Sequence, residues 1–221
     1  MRNFPGKKVG VKIYNRIRNK ILKIKAKRLY PDFDNYIFEL WAKNFGHCLE
    51  LACLKRLEEI CQITKPKLIF EFGSGVSTVV LAKYAQENNC RIFTFDEEFK
   101  YLTRAYNNAN RRYKTNNITF IYSPKNYKDF LENLEPNKKI DLLIIDGPTT
   151  NRYNEAAKNF YYKFISAGTT CVIDDTDREE TNREAAKIAQ MNSLKKVDYK
   201  DAFYSQFHQY SILFPKEIKE I

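Results

Sequence analysis

The chain has 221 residues, of which 43% are hydrophobic, 29% charged and 14% aromatic. That apolar fraction excludes a disordered polymer, the length suits one globular domain with an appendage, and no apolar run approaches the ~18–20 residues of a membrane-spanning helix. The formal net charge of +11 belongs to one end: residues 1–28 hold eleven Lys and Arg and no Asp or Glu, and the other 27 basic residues balance all 27 acidic ones in residues 29–221. A neutral body argues against a basic nucleic-acid groove across the domain. The basic N-terminus lacks an apolar h-region and a small-residue cleavage site, so no secretory signal is expected. Five cysteines without a C-x-x-C pair suggest neither a disulfide framework nor a zinc site. They read as small buried hydrophobes in a reducing, cytoplasmic compartment.

The predicted organisation is a basic arm (residues 1–30), a helical cap region (31–65) and an α/β domain (66–221). In the arm, Val9, Ile13, Ile17, Ile21 and Ile24 share one face of a helix over residues 7–29. Pro5-Gly6 precedes it and Tyr30-Pro31 ends it. A basic amphipathic helix of this kind lies on an anionic membrane surface, here the inner face, or packs on its own domain; binding to nucleic acid is the less favoured reading. Residues 36–63 read as one helical region with Leu40, Phe45, Leu49, Leu54, Leu57 and Ile60 as buried positions.

From Lys67 onward short apolar runs alternate with helical stretches. Strands are predicted at 68–72, 91–95, 118–122, 141–145 and 170–173, with helices over 77–88, 98–113, 126–134, 152–166 and 178–191 between and after them. Two more strands, 196–199 and 209–214, close the chain. This alternation predicts an α/β fold, a Rossmann-like, mostly parallel sheet. Ligands of such sheets sit beyond the carboxyl ends of the strands.

The first strand ends in Glu71-Phe72-Gly73-Ser74-Gly75-Val76-Ser77-Thr78. Glycines there permit a tight turn and close approach of a ligand, and Ser77 or Thr78 is suited to cap the helix that follows. Thr78 stands where the dinucleotide fingerprint has its third glycine, and no G-K-[ST] follows, so neither a G-x-G-x-x-G motif nor a P-loop is present. Asp96, 23 residues after Gly73 and just past the second strand, is where a carboxylate accepts ribose hydroxyls.

The run Glu71–Gly75, the acid Asp96, Asp141–Gly147 and Gly168–Asp175 resemble the successive motifs of class I S-adenosylmethionine-dependent methyltransferases. The look is closest to small-molecule O-methyltransferases, including those acting on sugars. The resemblance covers roughly residues 65–214 and implies a seven-stranded sheet of order 3-2-1-4-5-7-6 with strand 7 antiparallel. It further implies cofactor contacts from Glu71 (near the methionine amino group), Gly73, Ser74, Gly75, Ser77, Asp96 (ribose), Ser123 (adenine) and Asp146 (below the sulfonium).

Asp146, Asp174 and Asp175 end two neighbouring strands. Asp146 and Asp175 are candidate catalytic carboxylates, and the three together are candidate ligands for Mg²⁺. The alternative is that Asp174-Asp175 caps the next helix. No histidine stands beside Asp146, unlike in some metal-using relatives; His47 and His208 are the only histidines and are candidate bases by position. Arg152 and Tyr153 are candidate contacts to an acidic or sugar substrate. The expected function is methyl transfer to a hydroxyl of a small molecule or glycan. A nucleic-acid methyltransferase and a non-catalytic membrane adaptor are the alternatives; the first lacks the N-P-P-[YFW] motif of amino-methylating enzymes.

Overall fold

The computed structural model describes residues 20–21, 23–44, 48–124, 127, 139–148, 152–200 and 209–218. The chain divides into two compact units, residues 1–47 and 48–221.

In the first unit residues 23–29 are helical and are followed by helix α1, Asn35–Lys43. Asp34 caps α1: its Oδ1 accepts the Tyr36 and Ile37 amides at 2.8 and 3.2 Å. The two helical stretches are tied by Lys23 to Glu39 at 2.9 Å and by Lys27 Nζ to Asn35 Oδ1 at 2.5 Å. Of the arm's apolar stripe, Ile21 and Ile24 are each 49% exposed; Val9, Ile13 and Ile17 lie outside the described residues, as does most of the 7–29 helix.

The single helical region expected over 36–63 is two helices, α1 and α2, Leu51–Thr64. The break begins at Asn44, whose backbone amide and side-chain Nδ2 both donate back to Leu40 O, at 3.1 and 2.8 Å, and so close the last turn of α1. Such a short polar side chain competes with continued helix. Glu50, extended at φ −62 and ψ 152, starts α2. Phe45, one of the buried positions expected there, lies outside the described residues.

The second unit holds the sheet. Its elements in chain order are α2, β1 Leu68–Phe72, α3 Val76–Asn88, β2 Arg91–Asp96, α4 Phe99–Asn110, β3 Ile118–Tyr122, β4 Leu142–Ile145, α5 Glu155–Phe164, β5 Thr170–Ile173, α6 Glu179–Met191, β6 Lys195–Lys200 and β7 Gln209–Phe214. All seven strands fall within a residue of the runs read from the sequence, because β-branched and aromatic residues dominate them. The helix expected over 126–134 lies, apart from Tyr127, outside the described residues. The strand order is β3-β2-β1-β4-β5-β7-β6, with β7 antiparallel to both β5 and β6 and every other pair parallel.

Alternation along β1 decides what each face receives. Phe70 and Phe72 enter an aromatic core with Phe95, Tyr127, Phe160, Tyr161 and Phe164. The Phe72 ring lies 4.9 Å from Phe95, 5.2 Å from Tyr127 and 5.3 Å from Phe160, centroid to centroid. Strand side chains alternate between faces, so Ile69 and Glu71 turn to the opposite one, where α3 covers the buried Glu71.

The order of strands reverses direction between β1 and β4, and a crevice opens at such a switch point. Here the two strand ends meet through glycines. Gly73 has φ +94, and a Cβ on it would lie 2.8 Å from Gly147 N. A Cβ on Gly147 would lie 2.6 Å from Tyr127 Oη and 2.9 Å from Gly73 Cα. The Gly147 and Asp146 amides both donate to Phe72 O, at 2.7 and 2.8 Å, which fixes the loop after β4 on the end of β1. Gly73→Ala should therefore lose about 2–4 kcal/mol in urea denaturation, from the left-handed backbone and the backbone clash together. Gly168→Ala, whose Cβ would meet nothing within 4 Å, should change stability by less than about 0.5 kcal/mol.

Candidate active site

The turn after β1 and the end of β2 form one hydrogen-bonded body. Asp96 Oδ2 accepts the Ser74 amide at 2.9 Å and the Ser74 hydroxyl at 2.5 Å, and its Oδ1 accepts the Glu98 amide at 2.8 Å. The Ser123 amide, past β3, donates to Asp96 O at 2.9 Å. Three strand ends are thus locked to one aspartate, and its carboxylate is oriented by the turn beside it. A carboxylate has about four lone-pair sites, so Asp96 keeps capacity for further donors. Gly75 differs from Gly73: a Cβ on it would meet nothing within 4 Å.

Glu71 is wholly buried. Its Oε2 accepts the Thr78 hydroxyl at 2.8 Å and the Thr94 hydroxyl at 2.9 Å, and Thr78 Oγ1 in turn accepts the Gly75 amide at 3.0 Å. Burial pushes the Glu71 carboxyl up to about 7; the Ser77, Thr78 and Thr94 hydroxyls pull it back and the Asp96 charge raises it further. Its other oxygen, Oε1, has no hydrogen-bond partner among the described residues. A buried carboxylate oxygen left unmatched is costly, and it points to a donor that arrives with a ligand. Sequence reasoning missed Thr94 as a partner of Glu71, although the two are paired in register across β1 and β2.

At the ends of β4 and β5, Asp146 and Asp174 share a side-chain hydrogen bond. Burial holds the Asp146 carboxyl well above the ordinary carboxylate range, the Asp174 charge adds to this, and the Arg152 guanidinium offsets part of it. Asp175 adopts the left-handed region at φ +58, and its Oδ2 binds Arg152 Nη2 and Arg178 Nη2, each at 3.1 Å. The carboxylate of Asp175, a candidate catalytic group by sequence, is thus paired with two arginines.

Arg152 and Tyr153, the candidate substrate contacts, are both buried. Arg152 is 7% exposed. Its Nη2 donates to Asp146 O at 2.7 Å, its Nη1 to Asp174 O at 3.1 Å and its Nε to Pro148 O at 3.3 Å. Tyr153 is 4% exposed and its ring belongs to the aromatic core, 6.0 Å from Tyr161. The turn at 152–153 directs both side chains inward, which a one-dimensional reading of a polar loop does not reveal.

The Mg²⁺ site expected from Asp146, Asp174 and Asp175 is not built. Among the described residues no group of three or more His, Cys, Asp and Glu side chains is arranged to hold a metal ion. Asp146 and Asp174 turn toward each other, while Asp175 turns to the arginines. A hard dication needs several oxygens aimed at one point. His47 and His208 lie outside the described residues.

Tyr127 is the site residue that sequence reasoning did not find. It is buried with φ +65, and its hydroxyl lies against Gly147. Burial raises its phenol, and the nearby charges of Asp96, Glu97 and Asp146 raise it further. It stands in a stretch read as a plain helix, and no spacing in the sequence linked it to the strand ends.

Residues 70–176 match a family described as a methyltransferase domain. No protein with a curated description matches in sequence. Among solved structures, the fold is similar to an O-methyltransferase from Bacillus cereus in complex with S-adenosylhomocysteine, with 18% identity, TM-score 0.69, and 88% of this chain and 98% of that one covered. It is also similar to an O-methyltransferase of tomaymycin synthesis from Streptomyces achromogenes in complex with S-adenosylmethionine, with 13% identity, TM-score 0.65, and 85% and 94% covered. A methyltransferase from Podospora anserina bound to S-adenosylhomocysteine covers 98% of this chain and is itself 99% covered, at 14% identity and TM-score 0.62. From β1 to just past the acidic end of β5 the chain matches the methyltransferase domain family, and its strand order is that of the Rossmann-like methyltransferase fold.

Proposed function

We propose that the chain transfers a methyl group from S-adenosylmethionine to a hydroxyl oxygen of a small molecule or glycan. The observation that carries the reading is the buried Glu71 Oε1, unmatched among the described residues, on a carboxyl linked through Thr78 to Gly75, where a side chain would have open space. A buried acceptor without a donor, linked in this way to a glycine with room in front of it, fits a ligand that brings a cationic amino group. Glu71 would take that ammonium, Gly73, Ser74, Gly75 and Ser77 would line the backbone approach, and Asp96 would accept the ribose hydroxyls. Ser123 would lie at the adenine. The cofactor supplies an activated methyl on a sulfonium leaving group. The chain's own contribution is positioning, which dominates when the donor is already activated. Asp146, partly open at the end of β4, is the carboxylate we assign to receive the acceptor's proton.

The choice of oxygen as acceptor rests on the O-methyltransferases that share the fold. Among the described residues no helix is long and apolar enough to cross a membrane. For the arm we propose contact with an anionic membrane face: Ile21, Ile24 and Leu29 (62% exposed) remain open beside Lys20, Lys25 and Arg28.

Labelled methyl transfer to a panel of sugar, phenol, amine and RNA acceptors tests the function; turnover on amines or RNA alone would overturn it. In calorimetry, Gly75→Ala should weaken S-adenosylmethionine binding tenfold or more while costing less than about 1 kcal/mol of stability. Glu71 gives a pH signature. Below pH 4.5, its ordinary value, it is protonated whether folded or unfolded. Between 4.5 and about 7 the unfolded chain releases that proton while the folded one keeps it, so stability falls across this window, by roughly 3 kcal/mol, and is level above it. Glu71→Gln should remove this slope, read as the difference between variant and wild-type urea midpoints at pH 5 and pH 8. For the arm, anionic vesicles should co-sediment the full chain at low salt and release it at high salt. Equal sedimentation with neutral vesicles would exclude the electrostatic attachment.

A further inference from the structure

We infer that the Arg152 guanidinium is the resident cation of the β4–β5 strand ends and occupies the place that a divalent metal would need. Whichever acceptor is methylated, this follows from where the oxygens point. Four of them converge on one side chain: Asp146 O, Asp174 O, Pro148 O and Asp175 Oδ2, at 2.7, 3.1, 3.3 and 3.1 Å from its nitrogens. They come from the loop after β4 and the loop after β5, which are the two segments whose aspartates would have to close around a metal. The guanidinium itself is almost wholly enclosed, so its charge acts on the neighbouring carboxyls with little screening by water.

The choice of arginine suits this task. Its planar fork presents donors in several in-plane directions at once and is always charged. A dication would pull carboxylate oxygens toward itself at little more than 2 Å. Arg152 instead draws on backbone carbonyls of Asp146 and Asp174 and leaves their carboxyls to each other. The side chain of Asp175, which a metal would also require, is committed to Arg152 and, from the solvent side, to Arg178. Asp146 thus keeps a cation nearby without being a ligand to one, and stays open to an acceptor hydroxyl. Loss of the guanidinium would leave three acidic side chains crowded at two adjacent strand ends, with Asp175 still paired to the half-exposed Arg178.

The test uses the full chain and Mn²⁺ as the probe, followed by its spin-resonance signal and by calorimetry at pH 7.5. Wild type should bind no stoichiometric Mn²⁺ up to about 1 mM, and its Tm should be the same in Mg²⁺ and in chelator. Arg152→Ala should lower Tm by roughly 6–12 °C, the size expected when one partner of a buried ion pair is removed. It should also gain one Mn²⁺ site and recover part of the lost Tm in millimolar Mg²⁺. Arg152→Lys, which keeps the charge but loses the fork, should lower Tm without gaining a metal site. One equivalent of Mn²⁺ bound by wild type below 1 mM would overturn the inference, and that titration decides the matter if the alanine variant does not fold. A folded Arg152→Ala chain with no affinity for Mn²⁺ would overturn it equally. Chelator-resistant methyl transfer would agree with the inference. A wild type that fails to turn over any acceptor bears on the proposed reaction alone, because metal binding and Tm are read without it.

Discussion

Everything at the active edge depends on two backbones that touch. The ends of β1 and β4 approach so closely at the sheet's switch point that neither Gly73 nor Gly147 has room for a side chain. Parallel strands of the sheet stand about 4.8 Å apart, and side chains normally hold their loops further from one another. Removing the two Cβ atoms lets Phe72 O take two amides from the loop beyond β4, and that bond pair sets where Asp146 begins. A third group, the Tyr127 hydroxyl, closes on Gly147 from the aromatic core. The position of the Asp146 carboxylate is thereby set by packing at a glycine contact, with the aromatic cluster under Phe72 packed beneath it.

Around this contact the domain keeps acidic groups in two separate environments. Glu71 is buried under α3 and held by hydroxyls, with no cation among the described residues beside it, and burial disfavours its charge. The Asp146, Asp174 and Asp175 group lies on the other side of the switch point and already has its cation, in Arg152. Interactions with a charge are much stronger away from water than at a wet surface, so this division matters. One acid is left in need of a positive ligand, and the other cluster is neutralised from within. Asp96, at the end of β2 and so on the far side of β1 from the β4–β5 group, is tied to Ser74 and holds the glycine turn in shape.

Much of this was legible along the chain. The strands and their alternation with helices, the glycine turn, and the acids at the ends of β1, β2, β4 and β5 all depend on local rules of residue type, period and distance from a turn, whereas the order of strands in the sheet was implied only by the family resemblance. Gly73 and Asp96 are found because a tight turn and a strand end leave few alternatives in one dimension. The break at Asn44 was not found, because apolar spacing runs through it and the closing bond to Leu40 depends on one side-chain amide. The partners of acids were not found either. Thr94 meets Glu71 only because β2 pairs with β1 in a particular register, and Tyr127 reaches Gly147 only through the packing of the core.

The sequence by itself therefore determined the class of fold, the sheet edge at which the glycine turn lies and the acidic residues that stand there. Whether those acids face a metal, a substrate or each other was decided only by the tertiary structure. Three aspartates and an arginine within 30 residues read equally well as a metal site with a substrate-binding arginine or as a neutralised cluster. The choice depends on the direction of side chains from two loops that are separated in sequence and joined in space. Arg152 points inward because four oxygens from those loops await it, and that convergence exists only once β4 and β5 lie side by side.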